Sequence, residues 1–254
     1  MNSDVLVNIL GWQGTLLHGD STVFDRWHWL RARLTDPPGA RLIDIGCGSG
    51  AFTIGAATLG YSALGLSWDE QNQQTAQRSA RLCDVRTATF EILDVRQLDR
   101  RQDLVGQFDT AVLCEVIEHV LDDEKLVIDS AACLKSGGRL LLTTPNFDYR
   151  PITQEDAGPF PTDETGWHVR KGYREDDLRR LASVAGLQVE GISYCTGFLS
   201  QKITWLYRRL GRLHKTLGLA AILPLRVFPP LIDVLVTQSL AWPHYSICVE
   251  ARKG

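Results

Sequence analysis

The chain has 254 residues, of which 44% are hydrophobic and 22% charged, and its formal net charge is −3. This composition is typical of a globular protein, and the slightly acidic balance provides no positive field that would attract nucleic acid. The sequence has no signal-peptide pattern and no uninterrupted apolar run of the ~18 residues that a membrane span needs. We therefore expect a cytoplasmic protein that binds no nucleic acid.

The first region, residues 1–38, is aromatic and helix-like and ends at the turn sequence DPPG. After it, short apolar runs alternate with helical patterns. Strands are predicted at 41–45, 63–66, 88–92, 108–114, 139–144 and 187–194, and helices at 52–59, 69–82, 122–134 and 175–185. Such alternation indicates an α/β fold with a parallel sheet and crossover helices. A last apolar run, 245–251, predicts a seventh strand that closes the sheet.

We expect a core at 39–196, a helical insertion at 197–243 and the final strand within 244–254. The core contains a long polar loop at 145–173, and loops of that length are usually binding loops, lids or disordered. Six scattered cysteines, with no CxxC pair and no metal-like spacing, predict free thiols and no metal site.

The insertion contains a predicted amphipathic helix, KITWLYRRLGRLHKTL at 202–217. Its apolar positions are spaced three and four residues apart, at Ile203, Leu206, Leu210, Leu213 and Leu217, and the opposite side is basic. Three interpretations stay open: contact with an anionic membrane surface, a lid over a hydrophobic substrate, or packing against the domain or in a homodimer interface.

The stretch RLIDIGCGSGAF at 41–52 places glycines on alternate positions, Gly46, Gly48 and Gly50, directly after a predicted strand. A loose dinucleotide fingerprint fits this turn. However, Asp44 lies two residues before the first glycine, where a pyrophosphate gains nothing from a carboxylate. The acid favours a ligand that carries positive charge.

Five segments in register resemble the class I S-adenosylmethionine-dependent methyltransferases, in particular the ubiquinone-biosynthesis-like (methyltransferase type 11) group. They are LIDIGCGSGAF, GLSWDE (65–70), FEILDV (90–95), FDTAVLCEVIEHV (108–120) and LKSGGRLLLTTPN (134–146). The resemblance covers residues 40–195. It implies a Rossmann-like, doubly wound sheet of seven strands, S-adenosylmethionine as cofactor, and a substrate cover built from additions to the core.

The resemblance also implies a set of cofactor contacts. The backbone of the glycine loop would pass beneath the methionine part. The second strand would deliver a residue to the ribose, where Ser67 replaces the usual acid and Asp69 or Gln71 could substitute. The implied cofactor-binding residues are Asp44, Gly46, Cys47, Gly48, Gly50, Ser67, Trp68, Asp69, Asp94, Val95, Cys114 and Glu115. Among these, Asp94 and Val95 would recognise adenine, and Cys114 and Glu115 would face the sulfonium.

Transfer of a methyl group to a hydroxyl requires a base, and histidine is the usual one. His119 follows the fourth strand and His168 lies in the long loop on the same rim, so both are candidate catalytic residues. Because the motifs of nucleic-acid methyltransferases are absent, we expect a small or amphiphilic acceptor. We expect the reaction to be O-methylation and to be independent of a metal. The alternatives are N- or C-methylation of a natural-product or lipid-linked acceptor, a nicotinamide-dependent oxidoreductase, and a methyltransferase-like protein that binds without turnover.

Overall fold

The computed structural model of the chain describes residues 3–18, 22–212, 218, 222, 225 and 229–254. Its strands are β1 (Arg41–Ile45), β2 (Ser62–Ser67), β3 (Ala88–Ile92), β4 (Phe108–Cys114), β5 (Leu134–Pro145), β6 (Leu187–Cys195) and β7 (Ser246–Lys253). They form one sheet with the order β3-β2-β1-β4-β5-β7-β6. The first five strands pair in parallel, whereas β7 is antiparallel to both of its neighbours. The predicted mostly parallel seven-stranded sheet is confirmed.

The last strand, β7, does not lie at the edge of the sheet. The chain returns from the insertion between β5 and β6, so β7 is a buried inner strand and β6 becomes the edge. Three of the predicted strands, β1, β3 and β4, have the expected bounds, and β5 begins earlier, at Leu134. Periodicity therefore located the strands, but it did not determine their order.

The helices cover both faces of the sheet. They are α1 (Ser3–Leu10), α2 (Gln13–His18), α3 (Thr22–Arg31), α4 (Ala51–Thr58), α5 (Glu70–Leu82), α6 (Asp123–Cys133), α7 (Glu175–Val184), α8 (Phe198–Gly211) and α9 (Pro229–Ser239). Successive side chains of β1 enter separate apolar clusters, Leu42 in one and Ile43 in the other. This is the alternation of a strand that is buried on both faces.

The N-terminal region packs on α4 through aromatic side chains. Trp27 stacks on Phe52 with ring centroids 6.2 Å apart and meets Trp12 edge-on at 4.9 Å. A Cβ on Gly55 would lie only 2.5 Å from the Trp27 ring, so the absence of a side chain there lets α3 approach α4. Trp29 extends this packing to β6, where its Nε1 donates to Ser193 Oγ at 2.8 Å.

The insertion forms a helix pair. The carboxylate of Asp233, on α9, accepts from the amides of Leu199 and Ser200 at 2.8 and 3.2 Å, and therefore caps the first turn of α8. The buried positions of α8 include Gln201 and Thr204. The predicted apolar positions Ile203, Leu206 and Leu210 are only half-buried, while Leu213 and Leu217 lie outside the described residues.

The basic side of α8 contacts the long loop. Arg208 pairs with Asp156 at 2.9 Å and Arg212 with Glu155 at 2.5 Å. These ion pairs join the insertion to the loop and neutralise part of the predicted basic face. Among the helices that the structure describes, none is long and apolar enough to cross a bilayer.

Candidate functional site

A cavity of about 440 Å³ opens at the carboxyl ends of β1, β2 and β4, next to the point where the strand order reverses between β1 and β4. Open α/β sheets bind their ligands at such a switch point. The cavity is lined by Gly46, Gly48, Ser67, Trp68, Asp69, Asn72, Asp94, Val95, Arg96, Glu115, Val116, His119, Val120, Glu164, Thr165 and Gly166. Five segments that are far apart in the sequence therefore meet at one site.

The three glycines of the first loop are required for different reasons. All have positive φ angles: 82° at Gly46, 51° at Gly48 and 82° at Gly50. A Cβ would lie 2.5 Å from Val116 at Gly46 and 2.6 Å from Phe90 at Gly50, whereas a Cβ on Gly48 would meet no atom within 4 Å. Protein packing therefore requires Gly46 and Gly50, and Gly48 leaves open space at the cavity for a bound group to approach the backbone.

Asp44 lies beneath this loop and does not line the cavity. Its side chain is buried and accepts a 2.7 Å hydrogen bond from Thr53 Oγ1 on α4. Burial raises the pKa of this carboxyl to about 6, although the Thr53 hydrogen bonds oppose the shift. Cys47, whose Sγ lies 3.7 Å from Gln73 Nε2, is half-buried and is also outside the lining.

The end of β2 supplies three residues in a row to the cavity. Ser67 is buried, and Trp68 beside it is 64% exposed, so a broad apolar ring stands open at the entrance. The Asp69 carboxylate caps α5 by accepting from the Asn72 amide at 2.8 Å. One of its oxygens is thus already engaged in a structural hydrogen bond.

Asp94 is held by a neighbour that the sequence did not indicate. Its carboxylate accepts from Arg96 Nε at 2.9 and 3.0 Å and from Arg96 Nη2 at 2.5 Å, and these bonds lower the pKa of Asp94. Arg96 Nη1 donates at 2.6 Å to Glu164, in the long loop. The loop is therefore connected to the segment after β3 across the cavity entrance.

Glu115, directly after β4, has the unusual φ angle of 53°. Its carboxylate accepts from Arg26 Nη2 at 2.8 Å, from Thr143 Oγ1 at 3.1 Å and from Ser246 Oγ at 3.3 Å. Contacts from α3, β5 and β7 thus fix a side chain that lines the cavity. Cys114, the residue before it, is outside the lining, and burial raises the pKa of its thiol.

The two candidate histidines are in contact. The rings of His119 and His168 meet edge-on with centroids 4.6 Å apart, and His119 lines the cavity. Burial lowers the pKa of both rings, and that of His168 falls to about 4 because His119 also opposes its charge. Both imidazoles are thus held neutral near neutral pH, with nitrogen lone pairs free to accept a proton or a cation.

Glu118, the residue before His119, does not line the cavity. It lies in a short 3-10 turn (Ile117–His119), is fully buried, and accepts from Thr144 Oγ1 at 3.1 Å. Burial and the nearby Glu115 raise its pKa well above the usual range. Its Oε1 lies 3.9 Å from His119 Nε2.

The charges of the cavity oppose a dinucleotide. Among the described lining residues, the carboxylates of Asp69, Asp94, Glu115 and Glu164 face one guanidinium, that of Arg96. A pyrophosphate would meet this negative potential, whereas a sulfonium or ammonium group would be attracted to it. The open space at Gly48 and these acids fit S-adenosylmethionine.

Several residues that line the cavity or hold its lining in place had no recognisable pattern in the sequence. Arg26 is 89 residues from Glu115 in the chain, and its role depends on how α3 packs. Glu164, Thr165 and Gly166 belong to a loop without periodicity. Only the spacing of Glu115, Glu118 and His119 could have indicated a cluster, because the three residues lie within one turn of chain.

The comparisons with known proteins agree with this geometry. A family model described as a methyltransferase domain matches residues 20–191. The ubiquinone biosynthesis O-methyltransferase of Marinobacter nauticus is 30% identical over 186 residues, which are 68% of this chain and 73% of that protein. The mitochondrial ubiquinone biosynthesis O-methyltransferase of Bos taurus is 33% identical over 180 residues, 66% of this chain and 48% of that protein.

The fold agrees with a solved methyltransferase structure. Magnesium protoporphyrin IX methyltransferase from Synechocystis PCC 6803, solved with bound S-adenosylhomocysteine, superposes with a TM-score of 0.55 and 19% identity, covering 90% of this chain and 80% of that one. The family match favours a methyltransferase over a nicotinamide-dependent oxidoreductase, and an enzyme over a protein that only binds. The chain therefore belongs to the class I S-adenosylmethionine-dependent methyltransferases, with S-adenosylmethionine as its cofactor.

Proposed function

We propose that the protein transfers the methyl group of S-adenosylmethionine to a hydroxyl oxygen of a small, amphiphilic acceptor. The observation that carries this proposal is the His119–His168 pair. His119 lines the same cavity as the glycine loop, and the ring of His168 contacts the ring of His119. The names of the curated relatives, both O-methyltransferases, support oxygen over nitrogen or carbon as the nucleophile. N- and C-methylation are the outcomes that the acceptor assay below distinguishes.

Each part of the cofactor has proposed partners. The loop at Gly46–Gly50, with Cys47 and the buried Asp44 beneath it, holds the methionine part. Ser67 and Trp68 contact the ribose and purine, with Asp69 limited to its free oxygen by its capping bond. Asp94 and the Val95 amide bind adenine while Arg96 orients the Asp94 carboxylate. Glu115 borders the sulfonium, whereas Cys114, the residue before it, lies outside the cavity lining.

The cofactor supplies an activated methyl group on a sulfonium, so the protein must align the acceptor and remove the acceptor's proton. We propose that His119 and His168 receive the acceptor hydroxyl and lower the free-energy cost of ionising it. Their neutral state near neutral pH, which burial favours, keeps their lone pairs available for this role.

We propose that residues 1–38, the loop 145–173 and the insertion 197–243 together cover the acceptor, around the core at 39–196 and the strand within 244–254. The ion pairs of Arg208 and Arg212 with the loop support a cover in which loop and insertion move as one unit. The ordinary composition and six free cysteines support a cytoplasmic location.

The outer surface of the insertion supports contact with a membrane or with a second copy of the chain. Ile232, Val234 and Leu235 on α9 are 50%, 56% and 65% exposed. On α8, Arg209 stacks on the exposed Trp205 at 5.5 Å. Flotation with neutral and with anionic vesicles, together with the mass in solution by light scattering, distinguishes these two kinds of contact.

The function is tested by incubating the protein with S-adenosylmethionine and a panel of acceptors matched in size: phenols, their aniline analogues and the O-methylated phenols. We expect S-adenosylhomocysteine and a methyl ether from phenols only, and at least ~100-fold slower release with His119→Ala. Methylated amines or ring carbons in place of ethers would contradict O-methylation. Full activity of both His119→Ala and His168→Ala would contradict the role of the pair.

A further inference from the structure

Tyr245, which directly precedes β7, is a buried tyrosine whose hydroxyl makes no hydrogen bond in the described part of the chain. The residue is only 3% exposed. The hydroxyls of four other tyrosines donate to protein oxygens, those of Tyr61, Tyr149, Tyr173 and Tyr194. Buried polar groups in native proteins are nearly always hydrogen-bonded, because a missing partner is destabilising. An unsatisfied hydroxyl beside a cavity therefore indicates a place for a ligand.

The charges around Tyr245 belong to the proposed site. Those that act on its hydroxyl include the carboxylates of Glu115 and Asp156 and the guanidinium of Arg26. Asp156 and Arg26 also act on the ring of His168. Tyr245 and His168 therefore share one charged environment, which extends from Glu115 at the cofactor cavity to Asp156 in the long loop.

We propose that the Tyr245 hydroxyl donates a hydrogen bond to the acceptor oxygen that receives the methyl group. This inference deepens the proposed methyl transfer and rests on it. The acceptor oxygen contacts Tyr245 on one side and the histidine pair, His119 and His168, on the other. The hydroxyl of Tyr245 orients the oxygen, and the histidines take its proton. Tyr245 is thus a further catalytic residue.

The surroundings of Tyr245 make it a donor and not a base. Burial raises the pKa of its phenol well above the usual range, and Glu115 and Asp156 add to this shift, whereas Arg26 opposes it. A phenol that stays protonated can donate a hydrogen bond but cannot accept the acceptor's proton. Proton removal therefore belongs to the histidines, and Tyr245 keeps its own proton throughout the reaction.

The backbone and the ring of Tyr245 are both held in place. Its amide donates to the Thr196 carbonyl at 2.9 Å, and its carbonyl accepts from the Asn146 amide at 2.8 Å. Its ring packs on that of Tyr149 with centroids 4.8 Å apart, and both residues form a small apolar cluster with Ile152. A hydroxyl fixed by contacts from several segments is preorganised, as a catalytic donor must be.

The transfer step makes use of this donor. The acceptor's proton passes to the histidine pair while a lone pair of the acceptor oxygen forms the O–CH₃ bond. The S–CH₃ bond breaks and its electron pair stays on sulfur, so the products are the methyl ether and S-adenosylhomocysteine. Negative charge grows on the acceptor oxygen as its proton leaves, and a hydrogen bond to an anion is stronger than one to a neutral oxygen. The hydroxyl of Tyr245 therefore stabilises the ionised acceptor and fixes its orientation.

Replacing Tyr245 by Phe removes only the hydroxyl and tests the inference. With the phenol that the wild type methylates fastest, we expect Tyr245→Phe to lower kcat at least ~10-fold. Affinity for S-adenosylhomocysteine and the unfolding temperature should stay unchanged, because no hydrogen bond within the described chain is lost. These three quantities are measured by steady-state kinetics, calorimetric titration and thermal unfolding.

The matched control is Tyr61→Phe. Tyr61 is as deeply buried as Tyr245, lies outside the cavity lining, and its hydroxyl donates to Asp36 at 3.2 Å. We expect Tyr61→Phe to unfold about 2–4 °C lower than the wild type and to keep full activity. An unfolding temperature lowered equally in Tyr245→Phe would make the role of Tyr245 structural and overturn the inference.

A second measurement needs no turnover. The protein is loaded with S-adenosylhomocysteine and titrated with para-nitrophenol, whose absorbance reports how much of the bound phenol is ionised. We expect Tyr245→Phe to bind this probe at least ~5-fold more weakly than the wild type and to hold less of it as the phenolate. Tyr61→Phe should match the wild type in both respects.

The two measurements separate the inference from the proposed function. Wild-type kcat in Tyr245→Phe would overturn the inference while leaving methyl transfer in place. Weaker nitrophenol binding in Tyr245→Phe, without turnover of any acceptor by the wild type, would support the contact and contradict the proposed function. Absence of both nitrophenol binding and turnover in the wild type would contradict both.

Discussion

Arg26 donates a 2.8 Å ion-pair hydrogen bond to the Glu115 carboxylate, joining α3 of the N-terminal region to the residue that follows β4. The two side chains are only 11% and 14% exposed. Glu115 also lines the cavity, so a segment that precedes the core sets the position of a charge next to the proposed sulfonium. The N-terminal region thereby positions a side chain that lines the cavity.

Replacing Arg26 by Met leaves the Glu115 carboxylate without its cationic partner. Because removing one member of a largely buried pair is costly, we expect Arg26→Met to lower the free energy of unfolding by about 3 kcal/mol and to weaken binding of S-adenosylmethionine. Urea unfolding and calorimetric titration measure the two effects. The control is Arg252→Met, whose exposed pair with Glu190 is expected to contribute less than ~1 kcal/mol. Equal losses in the two variants would contradict this interpretation.

Alanine substitutions test why each loop position is glycine. We expect Gly48 to be needed for the approach of the cofactor to the backbone, and Gly50 for packing within the protein. Both substitutions force alanine into a left-handed conformation, at a cost of about 1–2 kcal/mol. Gly50→Ala adds a clash with Phe90, so we expect it to unfold at a clearly lower temperature than Gly48→Ala. Gly48→Ala should instead weaken S-adenosylhomocysteine binding at least ~10-fold.

The matched control for the glycine pair is Gly106→Ala, where φ is 65° and a Cβ would meet no atom within 4 Å. It lies outside the cavity and reports the backbone cost alone. Thermal unfolding and cofactor titration are measured on all three variants. Cofactor affinity in Gly48→Ala equal to that in Gly106→Ala would show that the cofactor does not approach this backbone.

The stability of the protein should depend on the ionisation of Asp44. Its pKa is about 6 when folded and 3.8 in the reference state, so the folded chain holds the proton more tightly. Stability is therefore lost as the pH rises through this window, and above it the full cost is about 3 kcal/mol. Asp44→Asn removes the titration, so its advantage in the free energy of unfolding should grow by about 2 kcal/mol between about pH 4.5 and pH 8.

Urea unfolding at the two pH values measures this difference, with the exposed Asp163→Asn as control. The same Asp44→Asn variant should bind S-adenosylmethionine more weakly, because the loop loses the negative charge beneath it. A variant that gains no stability at the higher pH would show that the buried carboxyl is compensated in the native state.

We expect the contact between the long loop and the insertion to affect binding of the acceptor more than binding of the cofactor. Arg208 and Asp156 are 27% and 12% exposed, and their pair holds the proposed cover together. We expect Arg208→Met to raise KM for the acceptor about fivefold, equivalent to about 1 kcal/mol, with KM for S-adenosylmethionine unchanged. Steady-state kinetics measure both constants. Arg212→Met removes a more exposed pair, 63% and 61%, and should change neither. Equal increases in both KM values would contradict a cover specific to the acceptor.

The sequence by itself determined the strands, the crossover helices, the glycine loop and the family. These features depend on local patterns: apolar residues repeat with the period of a strand or helix, and glycines occur where φ must be positive. The five motifs therefore predicted the fold and located most of the cavity lining, including Gly46, Gly48, Asp94, Glu115 and His119.

Only the tertiary structure decided how distant segments meet. It placed β7 between β5 and β6, brought Arg26 to Glu115, joined Arg96 to Glu164, and set His168 against His119 with Glu118 buried behind them. None of these relationships has a periodic signature, because each depends on packing between residues far apart in the chain or on the burial of one side chain. The amphipathic spacing in α8 likewise predicted an apolar face and a basic face. Only the structure showed that part of the basic face forms ion pairs with the long loop.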